Sequence, residues 1–347
     1  MRIAQVSPLY ESVPPRYYGG TERVVSYLTD ELVRQGHDVT LFASGDSSTT
    51  ATLAAACPRA LRLDRGCIDQ LAHHIILLER VIAEAARFDL VHFHIDYLHF
   101  PLSRRATAPH VTTLHGRLDI PDLQPIYREY TDMPVVSISN AQRAPLGGAA
   151  WQGTVYHGLP TDLYTFRETP GDYLAFLGRI SPEKRVDRAI EIATRLGLPL
   201  RIAAKVDAVD RSYFENVIAP LLEGRGVEYV GELGELDKDP FLGGALALLF
   251  PVDWPEPFGL VMIEALACGT PVIAYRRGSV PEVIDDGVTG FVVDGVEDAV
   301  EAVRRVPALD RRACRRAFEH RFTASRMARD YVTIYERLLD GRRAPAV

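Results

Sequence analysis

Apolar runs and amphipathic stretches alternate along the chain. RIAQVSP (residues 2–8), with Ile3, Ala4 and Val6, reads as a buried strand. A loop rich in Pro and Gly, LYESVPPRYYGG, separates it from TERVVSYLTDELVRQG. There Val24, Val25, Leu28, Leu32 and Val33 share one helical stripe, and Gly36 supplies the C-cap. HDVTLFAS is the next strand. Strand, helix and strand in this order predict a β-α-β unit and a parallel sheet. The pattern continues with a helix in LERVIAEAARF and strands in DLVHFHI, HVTTLHG, PVVSISN and GTVYHG.

A second series starts near residue 172. DYLAFLGR is a strand, and PEKRVDRAIEIATRLG is a helix with Ser181 as its cap and Pro182 in its first turn. LPLRIAAKV, VEYVGEL, ALALLFP, TPVIAYR and GFVVD are further strands. Two such series predict two doubly wound α/β domains facing across a cleft, one over residues 1–165 and one over 166–321. The boundary is expected within 163–171. The last helix, SRMARDYVTIYERLLDG, lies in 322–347 and is expected to pack back on the first domain. Ligands of such sheets bind outside the carboxyl ends of the strands, so strand ends are where chemistry is sought.

At 347 residues the chain exceeds one average core, which agrees with two domains. A net charge of −7 argues against nucleic acid as the main partner. Basic clusters at Arg104-Arg105, Arg311-Arg312 and Arg315-Arg316 read as solvated helix faces. Their other use is weak docking to an anionic lipid surface. No signal peptide and no run of about 20 apolar residues is found. Four cysteines are scattered without a CxxC, so neither a disulfide framework nor a zinc site is expected. These features predict a cytoplasmic protein, with peripheral contact to the inner face of the membrane as the variant.

Several chemistries are excluded. No G-x-G-x-x-G follows the first strand, and no G-x-x-x-x-G-K-[ST] or HExxH occurs. Ser181-Pro182-Glu183-Lys184 spells S-x-x-K, but the SDN and KTG partners are missing. His92 and His94 share a strand face without a third metal ligand.

Residues 255–274, PEPFGLVMIEALACGTPVIA, hold one acid, Glu264, in an otherwise apolar helix. That helix is predicted to start at Phe258–Leu260 and to end before Gly269. Its first amides, at Gly259, Leu260 and Val261, suit an anion such as a diphosphate. Glu264 lies about 7–8 Å further along the axis, where it suits a ribose diol. The structural alternative is a buried salt bridge to an internal arginine. Glu256 stands at the helix mouth. Arg179 and Lys184 flank the turn after the first strand of the second series, and two cations there would neutralise a diphosphate without a metal. Read alone, both are equally surface charges. Gly19-Gly20 before Thr21-Glu22 permits close backbone approach, or is a plain turn. His115 ends the strand in Thr112-Thr113-Leu114-His115-Gly116, as a site residue or as a satisfied histidine.

Together these residues resemble the retaining glycosyltransferases of family 4, which have the GT-B fold. The specific element is the E-x7-E motif from Glu256 to Glu264, with Pro257, Phe258, Gly259 and Leu260 inside it. Ala265-Leu266-Ala267-Cys268-Gly269-Thr270-Pro271-Val272 and Gly278-Ser279-Val280-Pro281-Glu282-Val283-Ile284 follow, and "GGTERVV", "TLHG" and "FLGRISPEK" precede it in the family's order. The resemblance covers nearly the whole chain. It implies that Arg179 and Lys184 bind the donor diphosphate, that Glu264 holds the ribose and that Glu256 contacts the transferred sugar. It places the backbone of Phe258, Gly259 and Leu260 on sugar and phosphate. Gly20, beside Gly19, falls near the diphosphate, His115 beside sugar and acceptor, and Glu232 and Leu233 near the base. Arg179, Lys184, Glu256 and His115 form the expected catalytic set. No metal or bound cofactor is implied; the nucleotide-diphosphate sugar is a co-substrate. Two departures stand out: His157 occupies a position where Asn is common, and Arg185 one where Gly is common.

The expected function is transfer of a hexose from a nucleotide-diphosphate sugar, UDP-sugar such as UDP-glucose favoured, to a hydroxyl of a sugar, lipid or small-molecule acceptor, with retention by front-face chemistry. Alternatives are a GDP-mannose-dependent mannosyltransferase, a sugar-nucleotide epimerase or hydrolase on the same fold, and a non-catalytic nucleotide-sugar binding protein.

Overall fold

Thirteen strands form two all-parallel sheets in a computed structural model that describes residues 1–224 and 226–343. The first sheet contains β1 (Arg2–Val6), β2 (Asp38–Ser44), β3 (Thr52–Cys57), β4 (Leu90–Phe93), β5 (His110–Thr113), β6 (Pro134–Ser137) and β7 (Ala150–Thr154). Their order across the sheet is β3-β2-β1-β4-β5-β6-β7. The second contains β8 (Tyr173–Arg179), β9 (Leu200–Lys205), β10 (Val227–Gly231), β11 (Ala245–Phe250), β12 (Val272–Tyr275) and β13 (Gly290–Val293), in the order β10-β9-β8-β11-β12-β13. In each sheet the order reverses beside the first strand of the series, between β1 and β4 and between β8 and β11. That reversal opens a crevice at the strand carboxyl ends.

The apolar runs become strands covered on both faces. All residues of β12 and β13 are buried, as are all of β4 and β5. Helices cover them with single stripes: Gly20–Arg34 buries Val24, Val25, Leu28 and Leu32, and Val186–Leu196 buries Val186, Ala189, Ile190 and Ala193. Helix Leu260–Cys268 has no polar face, and every residue from Met262 to Cys268 is buried.

The chain divides into two compact units, Met1–Gly158 with the segment from Ala324 onward, and Leu159–Thr323. The division at Gly158 precedes the expected 163–171 segment, because that segment is bound into the second unit. Tyr164 donates its hydroxyl to Glu235 Oε1 at 2.6 Å, and Arg167 pairs with Asp239 at 3.0 Å. The final helix, Ala324–Arg343, belongs to the first unit. Its Tyr335 hydroxyl bonds His92 Nδ1 at 2.7 Å, and its Tyr331 hydroxyl bonds Thr113 Oγ1 at 2.8 Å.

Three local expectations are corrected. The helix after β8 starts at Val186, not Pro182. Ser181 makes no capping bond, Pro182–Lys184 is a 3-10 turn, and Arg185 stands left-handed at φ 55°, ψ 48°, which breaks the helical run. β7 ends at Thr154 and so lies earlier than GTVYHG, and β3 was not expected. Arg311 and Arg315 are not a solvated face. Arg311 is 6% exposed and donates to the carbonyls of Arg167, Gly243 and Ala245, while Arg315 serves those of Thr161, Tyr164 and Ala267. Among the described residues no helix is long and apolar enough to cross a membrane.

Candidate active site

β11 ends at Phe250, and an irregular segment that bends at Trp254 and Pro257 leads to Gly259, where helix Leu260–Cys268 begins. Gly259 is left-handed, φ 78°, at a point where a Cβ would lie 2.9 Å from Met262 Cε and 3.1 Å from Phe250 Cζ. Only glycine fits both demands. Among the described residues the amides of Gly259, Leu260 and Val261 meet no protein acceptor, so the helix start is as expected.

The segment before the helix is pinned at several points. Asp253 is shared by Arg185, Arg188 and Arg277, and its amide bonds the carbonyl of Glu183 at 2.8 Å. These cations hold its carboxyl below the usual range against the opposing effect of burial. Gly278 packs on the backbone of Glu256; a Cβ there would come 2.2 Å from Glu256 O. Ser279 then bonds twice, by its amide to Glu256 O and by its hydroxyl to Phe258 O. The Phe258 ring points into the core at 2% exposure, so only its backbone is offered.

Glu256 and Lys184, expected to serve different parts of a donor, are in direct contact. Lys184 Nζ donates to Glu256 Oε2 at 2.5 Å, and Trp254 Nε1 donates to the same oxygen at 2.7 Å. The ammonium also lies 4.7 Å from the Trp254 ring and 5.6 Å from that of Phe250. Glu256 Oε1 has no protein donor among the described residues.

The cation beside Glu264 is a lysine on a neighbouring helix, not an arginine. Lys238 Nζ, from helix Glu235–Gly243, sits 3.0 Å from Glu264 Oε1 and 3.7 Å from Glu235 Oε2. Glu232 and Leu233 lie just before this helix, Glu232 exposed and Leu233 half-buried. Arg179 is set among three carboxylates, Glu183 at 2.5 Å, Asp210 at 3.6 Å and Asp207 at 3.8 Å. Its expected partner, a phosphate, would have to compete with them. Arg185 pairs with Asp187 at 2.7 Å. Its left-handed backbone explains why glycine suits this position.

In the first unit, Gly19 packs against Pro15 and Glu11, and Gly20 opens helix Gly20–Arg34. His115 follows β5, and its Nε2 faces His94 Nδ1 at 2.9 Å. His94 Nε2 meets Gln5 Oε1 at 2.8 Å, and Gln5 reaches Tyr335. His157 stacks on His115 with ring centroids 5.4 Å apart. The His115 amide donates to Asp96 Oδ1 at 3.4 Å. Burial holds this set neutral: His92, His94 and His157 lie well below the ordinary imidazole value, and His115 is pushed down to about 3. Burial pushes the Asp96 carboxyl up to about 6. The His92–His94 pair is thus part of a hydrogen-bonded core.

Sequence reasoning missed Trp254 and Lys238. Trp254 lies two residues before Glu256, and a tryptophan in a Pro-rich strand-end loop was a signal in plain view. Lys238 carried none, since its partner is 26 residues away.

Two families of known proteins match the two units. The description "Glycosyl transferases group 1" matches residues 166–319, and "Glycosyltransferase Family 4" matches residues 18–144. A D-inositol 3-phosphate glycosyltransferase of Mycobacterium sp. (strain KMS) is 34% identical over 189 residues, 47% of this chain and 42% of that protein. The chain thus spans less than half the length of the curated relatives it matches. AviGT4, a glycosyltransferase involved in avilamycin A biosynthesis, superposes with a TM-score of 0.77 at 25% identity, covering 98% of both chains. Anabaena Alr3699/HepE, solved with UDP and glucose, gives 0.76 at 18% identity, over 97% of this chain and all of that one. A glycosyltransferase family is matched on each unit and both sheets superpose on such enzymes, so the chain is similar to the glycosyltransferases of family 4 and has the GT-B fold.

Proposed function

We propose that the protein transfers a hexosyl group from a nucleoside-diphosphate sugar to an acceptor hydroxyl with retention of configuration. The observation that carries this reading is the contact of Lys184 with Glu256 beside the free amides of Gly259–Val261, with Glu264 further along the same helix. The acceptor oxygen bonds the anomeric carbon on the face that the diphosphate leaves. The bond from that carbon to the phosphate oxygen breaks, and the acceptor proton passes to the departing phosphate. Lys184, Arg179 and the helix start stabilise the leaving charge, so no enzymic nucleophile and no metal take part. Glu256 Oε1, which has no protein donor among the described residues, receives a sugar hydroxyl. Glu264 holds the ribose, Glu232 and Leu233 the base, and Gly20 and His115 keep the roles the resemblance implies. A uridine diphosphate sugar is favoured because HepE, alike in fold, was solved with UDP and glucose and with UDP-glucose.

The test is a calorimetric panel of UDP-, GDP- and ADP-sugars followed by turnover of the tightest binder with polyol and sugar acceptors. UDP-sugar binding with acceptor-dependent release of UDP is the expected result. Acceptor-independent donor loss points to a hydrolase or epimerase, and binding without any turnover to an idle binding protein.

A further inference from the structure

Glu256 is a nearly buried acid, 7% exposed, whose two protein donors among the described residues both use Oε2. One of them, Lys184, is the cation expected to turn towards a diphosphate. We propose that Trp254 is a positioning residue whose indole N–H keeps the Glu256 carboxylate in place once the diphosphate draws Lys184 away. The identity of the anion rests on the function proposed above; the clamp itself does not.

The two donors are not equivalent. The ammonium is a point charge on a flexible four-carbon stem, able to follow a stronger anion. The indole N–H is fixed by its ring and cannot follow. Without it, departure of Lys184 would leave a buried carboxylate with no donor among the described residues, which is costly enough to swing the side chain. With it, Oε2 stays anchored at 2.7 Å and Oε1 keeps its direction. The same indole touches both partners, its edge on Glu256 and its face 4.7 Å from the Lys184 ammonium. Before a donor arrives, the ion pair and the ring hold the cation. Afterwards the ring loses a cation and the N–H keeps its acceptor.

The backbone is built to hold this geometry. Asp253, one residue before, is bound by three arginines and by its amide to Glu183 O. Glu256 is bound on its own backbone by Gly278 and Ser279. Both ends of the Trp254–Pro255 step are therefore fixed.

The chain has two tryptophans. Trp151 donates its indole N–H to Leu146 O at 2.8 Å, so a nitrogen-15-labelled protein carries its own reference peak. In Lys184→Met the Trp254 indole is expected to stay protected from solvent exchange, whereas in Glu256→Ala its exchange quickens by about tenfold or more. Trp254→Phe keeps the ring and removes the N–H. It should lower kcat about 10- to 100-fold, with UDP affinity within about twofold and the unfolding midpoint little changed, and Trp254→His should restore part of kcat. The proposal is overturned if the indole loses protection in Lys184→Met, or if kcat and UDP affinity fall together in Trp254→Phe. Failure of the wild-type protein to bind UDP would instead sink the nucleotide-sugar reading, and the Lys184→Met spectrum would still decide the clamp.

Discussion

Lys238 Nζ stands 3.0 Å from Glu264 Oε1, with side-chain exposures of 12% and 4%. This pair explains how an apolar helix tolerates one carboxylate: the cation comes from the neighbouring helix Glu235–Gly243. It also gives Glu264 a structural task that a ribose contact would have to share. The two tasks separate by mutation. Glu264→Gln alone takes the nearer carboxylate from a nearly buried ammonium, which keeps Glu235 at 3.7 Å, and is expected to cost about 1–3 kcal/mol in urea unfolding. Lys238→Met with Glu264→Gln should recover most of that loss. If Glu264 holds the ribose, calorimetry will find UDP binding weakened in both. Full UDP affinity in the double variant would leave Glu264 a purely structural acid.

Lys184→Ala removes the cation that faces Glu256 and is expected to lower kcat by about 10²–10³. Single-turnover measurement with the identified donor checks it, and wild-type turnover would refute the role given to Lys184.

Gly278→Ala tests the floor beneath Glu256. A Cβ there meets Glu256 O at 2.2 Å and Glu256 N at 2.4 Å, and φ is 55° besides. Backbone cannot yield as a flexible side chain would, so Glu256 must move. A loss of about 100-fold in kcat/KM is expected from a displacement near 1 Å, while a variant with unchanged kcat/KM would show that the Glu256 backbone need not be held there.

Arg185 is a non-glycine residue in left-handed conformation, a strain of about 1–2 kcal/mol, offset in part by its partly exposed pairs with Asp187 and Asp253. Arg185→Ala keeps the strain and loses the pairs, whereas Arg185→Gly loses both. The glycine variant is therefore expected to be more stable than the alanine variant by about 1 kcal/mol, as compared by denaturant midpoints. The reverse order would mean that Arg185 carries no strain.

The first unit should be sensitive to mild acid. His92, His94, His99, His115 and His157 are all held neutral by burial. In the unfolded chain each takes up a proton below about pH 6.5 that the folded unit refuses. Stability is thus complete above that value and is lost as the pH falls through it towards the depressed folded values. Each histidine contributes at most about 1.4 kcal/mol per pH unit. Asp96, pushed up to about 6, acts in the opposite sense between its unfolded and folded values and offsets one of them. Urea midpoints measured from pH 7 to 5 should fall steeply, and a flat profile would contradict the neutral network.

Legibility followed range along the chain. Strands buried on both faces are apolar runs, so nearly all of them were readable; β3, with Ala54, Ala55 and Ala56, offered neither a β-branched run nor an alternation. The motif positions Glu256, Gly259 and Glu264 were readable because they lie on one segment. Their pairings were not. Lys184 meets Glu256 across 72 residues, and Arg167 meets Asp239 across the same separation, which is why a segment composed like a linker proved to be part of the second unit. Charge runs misled for a related reason: nothing local distinguishes Arg311, which serves buried carbonyls, from Arg312, which pairs at the surface with Glu168.

Because the final helix Ala324–Arg343 completes the first unit, that unit is discontinuous while the second, Leu159–Thr323, is one uninterrupted stretch. During synthesis, the second unit is whole before Tyr331 and Tyr335 leave the ribosome. Until they do, His92, Gln5 and Thr113 lack the hydroxyls that satisfy them in the finished protein. The half of the molecule that is translated first is therefore the half that closes last, and a ribosome stalled before Ala324 would release a chain whose second unit is complete and whose first still waits for its clasp.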